Sequence, residues 1–227
     1  IAILGGCGPM GLGAVSYALA IENKPAKVIV TDIDDAKLAR ANEVISVEEA
    51  KEKGVELIYV NTAKMDDPVD GLKALSVDGK GFDDVFIFAP NEEMVTYGVK
   101  MLAFDGCLNF FSGPADQEFS SRVNFYNIHY NSTHFVGTSG GNTEDMKQSI
   151  ELIENKTVNV AKIATHILGL DYAVETTKVL PELEGSKKIV YTHKKFPLTE
   201  VDKFDENSDD KYIRELKLIV ERNGNLW

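Results

Sequence analysis

The stretch Ile1-Ala2-Ile3-Leu4-Gly5-Gly6-Cys7-Gly8-Pro9-Met10-Gly11-Leu12 decides the fold of this 227-residue chain. Its first four residues are apolar and predict a short buried strand, which the glycines turn directly into a helix. Gly6 permits the tight turn, and Gly11 lets the helix pack closely on the strand. Gly8 leaves backbone N–H groups open to a phosphate, and Pro9 suits the first helical turn because its missing N–H would lack a partner there. This spacing is typical of a loop that binds a dinucleotide.

A second apolar strand, predicted at residues 27–32, supports a dinucleotide site because it ends on a carboxylate. Asp32 follows Gly11 by 21 residues, a position from which a carboxylate accepts hydrogen bonds from a ribose diol. The same carboxylate would repel a 2′-phosphate, and no arginine directly follows it, so NAD is favoured over NADP as cofactor. In the loop itself the predicted cofactor-binding residues are Gly6, Gly8, Pro9, Met10 and Gly11.

Apolar runs alternate with amphipathic stretches as far as about residue 124. Strands are predicted at residues 1–4, 27–32, 56–61, 85–89 and 107–112, and helices at residues 10–19, 34–44, 69–75 and 93–103. This alternation implies an α/β fold with a doubly wound parallel sheet of the Rossmann type. Ligands bind such sheets at the carboxyl ends of the strands, so Ala89, Pro90, Ser112 and Gly113 are predicted to border the cofactor crevice.

After about residue 124 the pattern changes, and we place a Rossmann domain at residues 1–130 and an α/β C-terminal segment at residues 131–227. The segment is predicted to contain a strand at residues 134–136, a helix from Asn142 or Thr143 to about residue 155, and a strand at residues 188–191. The predicted buried side of this helix consists of Met146, Ile150, Leu152 and Ile153. After a polar connection at residues 203–210, a last helix is predicted from Asp209 on the spacing of Tyr212, Leu216, Ile219 and Val220.

The amino-acid composition argues against one class of binding partner and favours one cellular compartment. A net charge of −12 and a pI near 4.8 argue against nucleic acid as a partner. No run approaches the roughly 20 apolar residues of a membrane span. The two cysteines, Cys7 and Cys107, do not suggest a disulfide framework, so we expect a cytoplasmic protein. The chain opens inside an apolar run without a methionine, as expected of a fragment of a longer protein.

Two motifs carry a family resemblance: Gly5-Gly6-Cys7-Gly8-Pro9-Met10-Gly11-Leu12 and Val30-Thr31-Asp32-Ile33-Asp34-Asp35-Ala36-Lys37. They resemble the zinc-dependent alcohol and polyol dehydrogenases of the medium-chain dehydrogenase/reductase superfamily. The resemblance implies that Ile33 lies against the adenine and Lys37 near the adenosine ribose. It continues through residues 105–113, 134–140 and 163–166. Residues 129–134, 185–193 and 225–227 resemble, more narrowly, the L-sorbose 1-phosphate reductase and sorbose dehydrogenase branch.

This resemblance implies hydride transfer between a nicotinamide cofactor and a sugar or polyol, such as L-sorbose or a sugar phosphate. It further implies a preceding catalytic domain that carries the zinc ligands, and a homo-oligomer when the protein is full length. Catalytic zinc needs about three converging protein ligands. The chain offers two distant cysteines and four histidines without metal-ligand spacing, so we predict neither a zinc site nor a catalytic residue within it. The fragment alone is expected to bind cofactor without catalysing.

The sequence is also compatible with other functions. The same crevice could serve a non-enzymatic NAD sensor. A methyltransferase-like nucleotide binder is disfavoured because residues 1–4 end without an acidic residue. Tyr191 and Lys195 have the spacing of a short-chain dehydrogenase pair, but they follow a predicted strand and not a helix. Cys7 lies near a helix N-terminus, where its pKa could fall and make the thiol oxidisable.

Overall fold

A computed structural model describes residues 1–183, 185–201, 209, 211 and 214–215. The chain forms two compact units, one of residues 1–158 and one that begins at residue 159. The boundary predicted after residue 130, where the sequence suggests a return to a catalytic domain, stays a prediction.

The first unit is built on a six-stranded parallel sheet with the order β3-β2-β1-β4-β5-β6. The strands are β1 (Ala2–Leu4), β2 (Lys27–Asp32), β3 (Glu56–Asn61), β4 (Phe82–Ile87), β5 (Leu102–Phe110) and β6 (His134–Gly137). The chain runs outward from β1 to β3, then crosses back to β4 beside β1. This switch in direction between β1 and β4 is the doubly wound Rossmann topology, so the predicted fold class is confirmed.

Seven helices connect or follow these strands. They are α1 (Pro9–Ala18), α2 (Asp35–Val44), α3 (Val47–Glu52), α4 (Pro68–Leu75), α5 (Glu92–Met101), α6 (Phe125–Tyr130) and α7 (Thr143–Glu154). The sequence prediction missed the six-residue helices α3 and α6. Helices this short show little apolar periodicity, which is the signal that a sequence offers.

The central strands are buried on both faces, as parallel strands between helices are. Ala2 of β1, Ile29 of β2 and both Val85 and Ile87 of β4 have no exposed surface. Side chains of α5 and β5, including Val99 and Leu108, complete this core. The carboxyl ends of β1, β2, β4 and β5 are therefore held by one rigid core.

The fourth and fifth strands differ from their predicted ranges. β4 begins at Phe82 and ends at Ile87, whereas β5 begins at Leu102 and ends at Phe110. The register shifts between Phe82, which pairs with Leu102, and Asp84, which pairs with Cys107. Extra residues on one strand break its alternation of side chains. The first half of β5 could therefore not be predicted from the sequence.

The predicted strand near residues 134–136 is present as β6 and extends the parallel sheet beside β5. α7 is also present, and Asn142 caps it in a capping box with Asp145. Its predicted buried side is wrong: no residue of α7 is buried, and Met146, Ile150 and Ile153 are exposed. Periodicity identifies which side of a helix is apolar, but not whether another element covers it.

The second unit contains a small mixed sheet with the order β8-β7-β9. Its strands are β7 (Ala164–Gly169), β8 (Lys187–Tyr191) and β9 (Thr199–Glu200), and its helix α8 is Ala173–Val179. Ile167, Leu168 and Phe196 are almost fully buried in this unit. β8 confirms the strand predicted at residues 188–191. Tyr212, Leu216, Ile219 and Val220, whose spacing predicts the last helix, lie outside the described residues.

Candidate functional site

The predicted site residues of the first unit lie at the carboxyl ends of four neighbouring parallel strands. The glycine loop follows β1, and Asp32 ends β2. Ala89 and Pro90 follow β4, whereas Ser112 and Gly113 follow β5. Since the carboxyl ends of parallel strands share one edge of the sheet, the fold brings these residues to that edge, around the switch between β1 and β4.

The three motif glycines differ in the space around them. A Cβ at Gly11 would lie 2.2 Å from the Gly6 carbonyl oxygen and 2.5 Å from the Gly6 Cα, so no side chain fits there. A Cβ at Gly6 would lie 2.6 Å from Cγ2 of Ile3. A Cβ at Gly8 would meet no heavy atom within 4 Å. Gly6 and Gly11 are thus required by packing within the protein, whereas Gly8 faces open space.

Helix α1 begins beside this open space without a side-chain cap. Gly8 is its N-cap residue, Pro9 follows, and the first turn contains no acidic residue. The other six helices of the first unit, all within the described part of the chain, each begin at an Asp, Ser or Asn side chain that accepts backbone N–H groups. The first backbone N–H groups of α1 therefore have no side-chain cap, and a helix N-terminus of this kind is suited to an anion.

Asp32 is held by the loop that it begins. Its Oδ1 accepts hydrogen bonds from the backbone N–H groups of Ile33, at 2.8 Å, and Asp34, at 3.2 Å. Asp34 in turn caps α2 through Ala36 N–H. Ile33 is 70% exposed, although it is apolar, and Lys37 is also exposed. The carboxylate is thus oriented by the backbone, with an exposed apolar side chain beside it.

Two further residues that the sequence analysis missed hold the same loop. Asn61 ends β3, and its Nδ2 donates to the Ile33 carbonyl at 3.2 Å and to Asp35 Oδ1 at 2.7 Å. Lys64 Nζ lies 2.6 Å from Asp35 Oδ2. These contacts lower the pKa of Asp35, mainly through the Lys64 hydrogen bond and then the Asn61 one. A polar residue at the carboxyl end of β3 was the signal available in the sequence.

The ends of β4 and β5 pack against the glycine turn and against each other. Gly5 has φ +66°, and a Cβ there would lie 2.9 Å from the Ala89 Cβ. Ser112 Oγ donates to the Ile87 carbonyl at 3.1 Å. A Cβ at Gly113 would meet nothing within 4 Å. The chain segments that follow β1, β4 and β5 are thus in contact with one another, whereas the space beside Gly113 is free.

The environment of Cys7 does not favour the oxidisable thiol that its place near a helix N-terminus could give. Burial and, after it, the negative charge of Asp32 raise the pKa of Cys7 to about 12, against a smaller opposing effect of Lys37. A thiolate, rather than a thiol, is the reactive form. Cys7 therefore stays protonated near neutral pH, and its proximity to the α1 N-terminus does not activate it.

Neither a metal centre nor the alternative catalytic pair is formed by the described residues. No group of three or more His, Cys, Asp or Glu in residues 1–183 and 185–201 could hold a metal ion. Burial raises the pKa of the Cys107 thiol, as it does that of Cys7. Tyr191 lies in β8, not on a helix, and Lys195 pairs with Asp171 at 3.1 Å.

Two other features of the described structure are a cavity and the length of its helices. A cavity of about 430 Å³ lies at the opposite edge of the sheet, where Ile1, Lys27 and Phe82 precede or begin strands, and it contains none of the predicted site residues. Among the described helices, none is long and apolar enough to cross a membrane.

Comparison with known proteins identifies a family. The family model described as zinc-binding dehydrogenase matches residues 9–155, which include α1 and the loop after β2. That range covers more than half of the chain and most of the first unit.

Two curated relatives are similar over essentially the whole chain. The L-sorbose 1-phosphate reductase of Klebsiella pneumoniae is 47% identical over 225 residues, which are 99% of this chain and 52% of that protein. The mannitol-1-phosphate 5-dehydrogenase of Aliivibrio fischeri is 45% identical over 228 residues, which are 100% of this chain and 54% of that protein. The chain thus spans about half the length of the curated relatives it matches.

Solved structures share the fold at low identity. A crystal structure of an alcohol dehydrogenase from Escherichia coli CFT073 in complex with NADH superposes with a TM-score of 0.61 at 18% identity. The match covers 83% of this chain and 50% of that protein.

Proposed function

The chain belongs to the family of zinc-binding dehydrogenases, and we propose that its first unit binds NAD for hydride transfer to or from a sugar or polyol. The observation that carries this proposal is the open space at Gly8 beside the uncapped N-terminus of α1. A pyrophosphate would occupy that space and accept hydrogen bonds from the first backbone N–H groups of the helix. The oriented carboxylate of Asp32 would accept hydrogen bonds from the adenosine ribose.

The remaining predicted residues complete the same site. Exposed Ile33 would pack against the adenine, and Lys37 would lie near the adenosine ribose. Ala89, Pro90, Ser112 and Gly113 would border the nicotinamide half of the crevice, at the ends of β4 and β5. When bound, the nicotinamide ring would accept hydride from an alcohol carbon or return it to a carbonyl. What this chain contributes is the position of that ring.

The substrate class is proposed from the relatives. Two of the curated relatives are named for a phosphorylated ketose and a phosphorylated alditol, which favours a sugar phosphate or polyol phosphate as substrate. Zinc, with the residues that touch the substrate, is proposed to belong to the remaining part of a longer protein. Among the described residues, no group of three or more His, Cys, Asp or Glu could hold a metal ion.

We further propose that the longer protein is a cytoplasmic homo-oligomer. β6 forms one edge of the six-stranded sheet, so one side of its backbone has no neighbouring strand in this sheet. Such an edge can pair with a second copy. Light scattering of the longer protein would measure the number of subunits, and a monomer would contradict the proposal.

The experiment that tests cofactor binding is calorimetric titration of the chain with NADH. Gly8→Ala is expected to fold normally, because its Cβ enters open space, yet to weaken NADH binding at least about tenfold by blocking the pyrophosphate. Asp32→Ala should weaken binding similarly by removing the ribose acceptor. Gly13→Ala is the matched control, since a Cβ there also meets nothing within 4 Å but lies further along α1.

Two outcomes would contradict the proposal. One is a wild-type chain that binds S-adenosylmethionine and not NADH, which would support the methyltransferase-like alternative. The other is a Gly8→Ala variant with unchanged NADH affinity. Turnover of a sugar phosphate by the longer protein would then separate the dehydrogenase from a non-enzymatic NAD sensor, which shares the binding step and lacks the reaction.

A further inference from the structure

We propose that Asp35, Asn61 and Lys64 form a clamp that makes the cofactor site prefer NAD to NADP. Two effects contribute: Asn61 fixes the loop that orients Asp32, and Asp35 pairs with the Lys64 ammonium and offsets its charge. This inference rests on the proposed function, and it names the residues that would determine the choice of dinucleotide. These three residues are called the loop clamp below.

The loop clamp joins residues that lie 26 to 29 positions apart in the chain. Asn61 Nδ2 donates to the Ile33 carbonyl at 3.2 Å and to Asp35 Oδ1 at 2.7 Å, whereas its Oδ1 accepts from Ala63 N–H at 3.0 Å. Three of the four hydrogen bonds that an amide can make are thus used. The last residue of β3 therefore has a fixed orientation toward the loop after β2.

Asn61 is connected to Asp32 through one residue, Ile33. The N–H group of Ile33 donates to Asp32 Oδ1 at 2.8 Å, and the carbonyl of the same residue accepts from Asn61. Both polar groups of the Ile33 backbone are therefore held, one by the carboxylate and the other by β3. Asn61 is a positioning residue: it would touch no cofactor atom, but it fixes the backbone on which the Asp32 carboxylate depends.

The Asp35–Lys64 pair has little value for stability, because both side chains are more than 60% exposed. The pair matters instead for the net charge of the loop after β2. Asp32, Asp34 and Asp35 make this loop acidic, and the cations near it are Lys37 and Lys64. Asp35 lies 2.6 Å from Lys64 and offsets its charge, so the three carboxylates of the loop outnumber its two cations. A 2′-phosphate, which carries up to two negative charges, would therefore meet net repulsion.

The test is a set of NADH and NADPH titrations by calorimetry. Asp35→Ala should release Lys64 and strengthen NADPH binding about fivefold, with NADH affinity changed less than twofold. Asp35→Asn, which keeps the size of the side chain, should act in the same direction. Asp35→Ala combined with Lys64→Ala should lose the gain for NADPH, because the released cation is then absent. Asn61→Ala should weaken NADH binding about fivefold by loosening Asp32.

Lys53→Ala is the matched control. Lys53 forms a similar surface pair with Glu49 at 3.0 Å, but α3 ends just before β3 begins, at the opposite edge of the sheet. The control should leave both affinities unchanged, and thermal unfolding should show that every variant is folded. A wild-type chain that does not bind NADH would overturn the proposed function itself. A wild-type chain that binds NADH, with an Asp35→Ala variant whose ratio of NADPH to NADH affinity is unchanged, would overturn the loop clamp alone.

Discussion

At the scale of single residues, the glycine loop separates what folding requires from what a ligand would require. Gly6 and Gly11 have no room for a Cβ because the protein's own backbone and side chains occupy the space. Gly8 has room, and nothing in the described structure accounts for a glycine there. Under the proposed function, the open space beside Gly8 is where the pyrophosphate would lie, so a Cβ there would interfere with the cofactor and not with folding.

Gly11→Ala is expected to lower the free energy of unfolding by about 1–3 kcal/mol, because its Cβ would overlap the Gly6 backbone, which cannot rotate away. Gly13→Ala in the same helix should instead raise it by about 0.5–1 kcal/mol, since alanine is the better helix former and meets no atom. Urea unfolding of both variants measures the difference. Equal effects of the two substitutions would show that the close contact at Gly11 does not exist.

The buried thiol of Cys7 predicts a loss of stability at high pH. Its pKa is about 12 in the folded chain, against 9.0 for an ordinary thiol. Between these values the unfolded chain has released the proton and the folded chain has not, so the free energy of unfolding falls as the pH rises. The stabilisation is complete below about pH 9. Because the thiol is only half-buried, the slope should stay well below the limit of about 1.4 kcal/mol per pH unit for one group.

Unfolding of wild type and Cys7→Ala between pH 8 and 10.5 tests this linkage. The variant should lose less stability over this range than wild type does. The pKa of Tyr59 is also raised, by burial and to a smaller extent by Cys7, so the comparison is repeated with Tyr59→Phe in both proteins. Parallel curves for the two proteins would mean that Cys7 titrates normally in the folded chain.

At the scale of secondary structure, α1 and α7 show two ways in which a helix can lack a partner. α1 packs Leu12 and Val15 into the core and leaves its N-terminus uncapped. α7 is fully capped at its N-terminus, but no residue of it is buried. Sequence patterns identified both helices, because capping residues and apolar spacing are local features. They could not show what each helix contacts.

The exposure of α7 makes a quantitative prediction. Ile150 is 54% exposed, so Ile150→Ala should change the free energy of unfolding by no more than about 0.5 kcal/mol. Ile87→Ala, at a fully buried position of β4, should cost about 2–5 kcal/mol through lost burial and the cavity left behind. Chemical denaturation of both variants compares the same substitution in two environments. A large decrease in the free energy of unfolding on Ile150→Ala would show that this side of α7 is buried, as the sequence predicted.

At the scale of the whole molecule, the parallel sheet of the first unit gathers distant segments at one edge. The carboxyl ends of β1, β2, β4 and β5 meet there, so loops separated by more than a hundred residues form one candidate site. The strand order was predictable in type, since alternating strands and helices favour a doubly wound sheet. The start of β5 at Leu102 was not, because the register shift beside Phe82 interrupts the side-chain alternation that a sequence reveals.

The sequence by itself determined the glycine turn, the strands from β1 to β3, the acidic end of β2 and the family, since each depends on neighbouring residues in the chain. Only the tertiary structure decided that α7 is uncovered, that the pKa of Cys7 rises, and that Asn61 and Lys64 hold Asp35. The physical reason is the range of the interactions. Backbone conformation and periodicity are local, whereas burial, electrostatic fields and side-chain hydrogen bonds depend on residues that only folding brings together.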